Sequence, residues 1–331
     1  MNKFTLLFTF LFYITVIAEC QTIKQKPCNI IFDTDMGPDY DDVGAIAILH
    51  AMADKGEAKI LATMASTNYE GVAGVLSVFN TYFKRPNTPI GVPKGYALSL
   101  RDTQHWTDTV LAKYPHQLKT NSEAEDAVKL YRKILAAQPD GSVTIVSVGF
   151  LTNLANLLQS GADEYSALSG QKLVQKKVKL LVSMAGKFPS GWEFNVMKDA
   201  TASQHAFDNW PTPVILSGFE IGEKIKTGLP LINNAAIKNS PVKDVFSLSI
   251  PKAAEDSTGR KSWDETAVLV AVRGYSAYYT LHKGKITVAN EGNNAWDDGG
   301  TLHAYLVEKM PAKKVEDIIN DLMMHQPKMK P

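Results

Sequence analysis

Five aspartates, Asp33, Asp35, Asp39, Asp41 and Asp42, fall within the stretch IIFDTDMGPDYDDVGAIAILHAM. Carboxylates this close repel one another and resist ionising together. Helix capping would explain one or two of them, since an anion at a helix N-terminus gains about 0.3–1 kcal/mol. A solvated acidic turn fits poorly, because Asp33 and Asp35 close an otherwise apolar run. A hard cation explains the density best. Ca²⁺ gathers roughly 6–8 oxygen ligands from carboxylates, backbone carbonyls and water, although the spacing here is not that of an EF-hand loop.

Such a cluster needs a frame. CNIIFDTD reads as a buried strand, and DDVGAIAILHAMADKGE as an amphipathic helix that Gly56 helps to end. AKILATMAST, TPIGVPKG, SVTIVSVG, KKVKLLVSMAG and TPVILSGFE read as further strands. Between them lie helical segments, among them SEAEDAVKLYRKILAAQ with a Ser122–Glu125 capping box. Residues 96–118 show no clean period and carry Trp106, which marks an irregular functional loop. After Pro230 the alternation weakens to a helix in SWDETAVLVAVRG, a hairpin over residues 282–300 and a final helix. Alternating strands and helices predict an α/β fold, an open, doubly wound, mostly parallel sheet of the Rossmann-like kind. Ligands of such sheets bind beyond the carboxyl ends of the strands, where Asp35, Asn68, Val148 and Gly186 fall.

Composition narrows the function. The chain has 331 residues, 45% hydrophobic and 21% charged, with a net charge of +1. That suits one large domain and gives no support to a nucleic-acid surface. The apolar run Phe4–Ala18 behind a single early lysine has the pattern of a secretory signal and is short for a membrane span. We therefore expect a signal peptide over residues 1–20, a single domain over 21–331, export to the periplasm or outside, and no span after cleavage. Lipid attachment at Cys20 is one rival, disfavoured by the Glu19 before it, and an uncleaved N-terminal anchor is another. Cys20 and Cys28 are the only cysteines, so loss or lipidation of Cys20 leaves no intrachain disulfide.

The fingerprint DTDMGPDYDD resembles that of the inosine–uridine-preferring nucleoside hydrolase family. VGFLTN (148–153), EFN (193–195) followed by Asp199, and WDETAVL (263–269) resemble three further family segments, in the family's order. The resemblance runs from about Ile30 to the C-terminal helix. It implies a nucleoside hydrolase fold, a nucleoside or other ribosyl partner, and Ca²⁺-dependent cleavage of the N-glycosidic bond to ribose and free base. It also implies Asp35 as metal ligand and general base, with Asp42, the Val148 carbonyl and Asp264 as further ligands. Asp41, Asn68, Glu193 and Asn195 would contact the ribose. A metal acidifies water and a carboxylate takes its proton. An acidic cluster suits an oxocarbenium-like transition state. A homo-oligomer is allowed.

Two departures stand out. The fingerprint is longer by the equivalent of Asp39-Tyr40, so Asp39 competes with Asp41 for the ribose. Trp263 stands where many members carry a histidine, and it cannot donate a proton. It resembles the purine-preferring branch, where the base is stacked between aromatics, with Trp106 a candidate for the second face. Two rivals remain. One is a secreted non-catalytic module that binds Ca²⁺ or a ribosyl ligand on the same fold. The other is a haloacid-dehalogenase-type phosphatase, which leaves the extra aspartates unexplained and wants Thr or Val where Gly37 stands.

Overall fold

The computed structural model describes residues 26–327. The expected signal peptide and both readings of Cys20 lie outside the described residues. Cys28 begins the first strand and is a half-buried free thiol.

Eleven of the described strands form one sheet. In order across it they are Glu125–Asp126, Ile90–Val92, Ala58–Ala65, Cys28–Thr34, Val143–Ser147, Val178–Met184, Val214–Ser217, His303–Glu308, Tyr279–Val288, Asn293–Asp297 and Ser190–Trp192. The first eight are mutually parallel, and the last three join antiparallel. The central strands are apolar runs because both faces are covered. Along Cys28–Thr34, Ile30 and Phe32 enter one core while Ile31 enters the other, as two-residue alternation requires.

The helix Asp41–Asp54 differs from its expected amphipathic form. It is buried from Asp41 to Met52, packed against the strand Ala58–Ala65 and the helices Trp263–Arg273 and Ala312–Met323. A helix covered on all sides has no need of a polar face. Gly44 permits the crossing, since a Cβ there would stand 2.0 Å from Oε1 of Glu265.

Other segments depart from expectation as well. The supposed irregular loop contains the helix Trp106–Lys113, whose first amides donate to Asp102. The helix expected to start with a Ser122 capping box starts at Ala127 and is capped by Asp126, which accepts from the Lys129 amide at 3.0 Å. The helices Gly170–Lys177 and Pro241–Ser249 and the strand His303–Glu308 were not anticipated.

His50 lies in the first helix, fully buried and stacked on Phe83 at 4.7 Å. Its Nε2 meets Oδ1 of Asn80 at 3.1 Å, and its Nδ1 faces the Arg85 guanidinium at 3.4 Å. Burial, then the Arg85 charge, push its pKa down to about 3. A histidine depressed in the fold takes up a proton more readily when unfolded, so its contribution is complete above about pH 6.5 and is lost as pH falls towards 3. His50→Gln should flatten the pH dependence of unfolding free energy between pH 6 and 4 by up to about 1.4 kcal/mol per pH unit. Parallel denaturant titrations of both proteins check this, and identical slopes would count against it.

Candidate active site

A cavity of about 260 Å³ opens beyond the carboxyl ends of the parallel strands. Asp35 follows Cys28–Thr34, Val148 follows Val143–Ser147, Glu193 and Asn195 follow the short strand Ser190–Trp192, and Phe219 follows Val214–Ser217. Asp264 and Trp263 come from the start of the helix Trp263–Arg273. The cavity's acidic lining residues are Asp35, Asp39, Asp41, Glu193 and Asp264. Its aromatic lining residues are Trp192, Phe194, Phe219 and Trp263.

Asp33 does not belong to the cavity wall. It accepts from Tyr131 at 2.7 Å and from the Asn153 amide at 3.1 Å. Asn153 also donates to the Ala65 carbonyl at 2.7 Å. The asparagine of VGFLTN therefore ties two neighbouring strands together and sets the Val148 turn beside Asp35.

Asp35 and Asp264 are each 5% exposed, and among the described residues neither carboxylate makes an ion pair or a hydrogen bond to another side chain. Burial, then the charges of Asp42 and Asp39, hold the Asp35 carboxyl well above the usual range. Burial, then Asp41 and Asp42, do the same to Asp264. Burial, then Asp41, push Asp42 up to about 7, although Thr34 and the Met36 amide both donate to it. Arg260, among the described residues the only cation on the cavity wall, is committed to Asp39 and Asp41.

This donor set suits a hard cation: three buried carboxylates short of positive charge and a strand-end carbonyl. The side chains are not drawn together, however. Among the described residues no three His, Cys, Asp or Glu stand as a group able to hold a metal. Asp42 is turned towards Thr34, and the Val148 carbonyl already accepts from the Asn195 amide at 3.2 Å. A carbonyl has a second lone pair, so that contact leaves Val148 able to ligate.

Of the expected residues, the cavity gathers Asp35, Asp39, Asp41, Val148, Glu193, Asn195, Trp263 and Asp264. Asp42 lies behind the wall. Glu193 caps the short helix Phe194–Lys198, accepting from the amides of Asn195 at 2.9 Å and Val196 at 3.1 Å, and it also accepts from Gly186 at 3.1 Å. It is thus an anchor as well as a wall residue.

Two expectations fail. Trp106 is fully buried in the core, with no ring face open to a ligand, because Asp102 draws the start of its helix inwards. Asn68 is diverted from the cavity by the bridge between Thr67 and Leu98, its own amide donating to the Leu98 carbonyl at 3.0 Å. Among the described residues no histidine lines the cavity.

Arg260, Trp192, Phe194 and Phe219 were missed. Trp192 and Phe194 flank Glu193 in GWEFN, an alternation that could have flagged them. Trp263 is held by its indole N–H, which donates to the Phe219 carbonyl at 2.8 Å, and its ring lies 5.2 Å from that of Phe219.

The fold is a parallel-sheet α/β one, with a cavity lined by acidic and aromatic residues at its strand ends. The chain belongs to the inosine–uridine-preferring nucleoside hydrolase family, whose model matches residues 30–321. That is a family of N-glycosyl hydrolases. Among solved structures it is similar to an inosine–uridine-preferring nucleoside hydrolase from Bacillus anthracis, at 14% identity and TM-score 0.67, covering 90% of this chain and 99% of that one. The purine-preferring ribonucleoside hydrolase from Gardnerella vaginalis matches at 17% identity and TM-score 0.66, with coverage of 89% and 99%. The type III effector XopQ, solved with adenosine diphosphate ribose, matches at 14% identity and TM-score 0.65, with coverage of 91% and 94%. These likenesses establish the fold. No curated protein sequence matches the chain.

Proposed function

We propose that the protein hydrolyses the N-glycosidic bond of ribonucleosides, favouring purines, with a divalent cation, Ca²⁺ foremost, held by Asp35, Asp42, Asp264 and the Val148 carbonyl. The carrying observation is that Asp35 and Asp264, buried and without a counter-charge of their own, share one cavity with aromatic lining residues. The family is metal-dependent. A bound cation would acidify water and orient it towards the sugar. Asp35 then takes the proton of the attacking water. Positive charge developing on the sugar faces the acidic lining residues, and the departing base lies against Trp263. On the pattern of Phe4–Ala18 we propose that the protein is exported. The likeness to XopQ, an effector solved with adenosine diphosphate ribose, favours a second reading, a ribosyl-ligand binder without turnover.

A nucleoside panel read out as free reducing sugar, with elemental analysis of protein purified without chelator, separates the two. Ribose release from inosine, stoichiometric divalent metal and loss of activity on chelation are expected. Activity that survives chelation in metal-free protein would overturn the metal assignment. Absence of ribose from every nucleoside would leave the binder.

The purine preference has its own test. Trp263→Ala should cost about 10- to 100-fold in kcat/KM on inosine, from a stacking loss of about 1–3 kcal/mol. Trp263→Phe should retain part of the activity, and a nitrophenyl riboside, with its activated leaving group, should be much less sensitive. Equal losses on both substrates would mean that Trp263 acts only by supporting Asp264.

A further inference from the structure

Arg260 is 8% exposed and stands in the wall of the substrate cavity, where no feature of the fingerprint led us to expect a cation. Its guanidinium lies over two rings, 5.0 Å from the Tyr40 ring centroid and 5.2 Å from that of Trp263. Its Nε donates to Oδ1 of Asp41 at 3.2 Å, and its Nη2 donates to the same oxygen at 2.7 Å. The same Nη2 lies 2.6 Å from Oδ2 of Asp39. The other oxygen of Asp41 accepts the backbone N–H groups of Trp263 at 3.1 Å and Asp264 at 3.4 Å. Asp41 thus caps the helix Trp263–Arg273, whose own N-cap, Ser262, makes no side-chain cap bond. Both of its oxygens are consumed, and its side chain is 2% exposed.

Asp39 is the opposite case. Its side chain is 48% exposed, it lines the cavity, and among the described residues its one ion pair is with Arg260. The two residues by which this fingerprint is longer, Asp39 and Tyr40, both meet Arg260. Tyr40 also donates its hydroxyl to Asp256 at 2.5 Å, and Asp256 lies 3.7 Å from Nη1 of Arg260. The extra pair of residues and Arg260 form one unit.

We propose that Arg260 is a specificity-determining positioning residue: it locks Asp41 into the frame of the site and presents Asp39 as the carboxylate that meets the sugar hydroxyls. The proposal rests on the nucleoside-hydrolysing reading above and refines it. A planar fork can hold two carboxylates at once while leaving one oxygen of the second free to accept from a hydroxyl. A lysine is a point charge on a flexible stem and cannot hold both in register. A site built around such an acceptor discriminates against sugars lacking the hydroxyl.

The test compares inosine with 2′-deoxyinosine in three variants. Asp39→Ala should raise KM for inosine roughly 10- to 100-fold, the range for losing a hydrogen bond to a charged group, with little change on the deoxy substrate. Asp41→Asn should lower Tm and reduce kcat/KM on both substrates in parallel. Arg260→Lys should fold but lose part of the ribo-over-deoxy preference. A preference kept by Asp39→Ala and erased by Asp41→Asn would overturn the proposal. Thermal shift with D-ribose and 2-deoxy-D-ribose in millimolar Ca²⁺ separates this failure from failure of the hydrolase reading. If the wild type releases no ribose, a ribose-selective shift lost in Asp39→Ala still supports the role of Asp39. A wild type with no ribose-selective shift and no hydrolysis overturns it.

Discussion

Asp35→Asn is expected to fold, to keep nucleoside binding within a few-fold, and to lose about 10²–10⁴ in kcat, the usual range for removing a general base. The substitution preserves shape. Among the described residues, the carboxylate it removes makes no ion pair and no hydrogen bond to another side chain. It also removes one of four carboxyl groups that oppose one another's ionisation, since Asp42, Asp39 and Asp41 all act against ionisation of Asp35. Nothing in the core depends on it, so Tm in metal-free buffer should not fall. Ca²⁺ should raise Tm of the wild type more than that of the variant, because a ligand stabilises by binding the folded state and an amide is the weaker donor. Steady-state kinetics on inosine and melting curves with and without Ca²⁺ decide the matter. Turnover within tenfold of wild type would remove Asp35 from the role of base.

The central strands were legible because burial on both faces leaves no choice but apolar runs, and Cys28–Thr34, Val143–Ser147 and Val178–Met184 are such runs. Asp35, Val148, Glu193 and Asp264 were legible because each sits in a short segment fixed to a strand end or a helix start. The misreadings share a different cause. Trp106 lies in a segment whose sequence has no period, and its inward course is set by Asp102, a tertiary choice that leaves no local trace. The first helix looked amphipathic because a periodicity argument assumes one solvent face, and here two helices cover it. The strand His303–Glu308 pairs in parallel with Val214–Ser217, about ninety residues earlier, a distance over which no local pattern operates. Arg260 was invisible for the same reason. A lone arginine acquires meaning only when the fold sets it beside Asp39 and Asp41, more than two hundred residues away.

The positional demand on Asp35 can itself be tested at Gly149, one residue beyond Val148 in the turn. A Cβ there would stand 2.3 Å from the Asp35 backbone nitrogen, 2.9 Å from the Asp35 Cβ and 2.5 Å from Oγ of Ser66. Backbone cannot yield as a flexible side-chain tip can. The strand leading to Asp35 is pinned between Ala58–Ala65 and Val143–Ser147, and the Val148 amide donates to the Asp33 carbonyl at 2.8 Å. The added methyl must therefore part the Asp35 and Val148 turns, the two places that supply the base and a proposed carbonyl ligand. Gly149→Ala should cost about 1–3 kcal/mol of stability through overpacking. Its larger effect should fall on kcat/KM, on the order of 10²-fold, because a displacement of about 1 Å spoils the alignment of base, water and sugar. Gly161→Ala is the control: a Cβ there meets nothing within 4 Å, so both activity and Tm should stay at wild-type values. Wild-type kcat/KM in Gly149→Ala would show that the contact between these two turns is not what places the catalytic carboxylate.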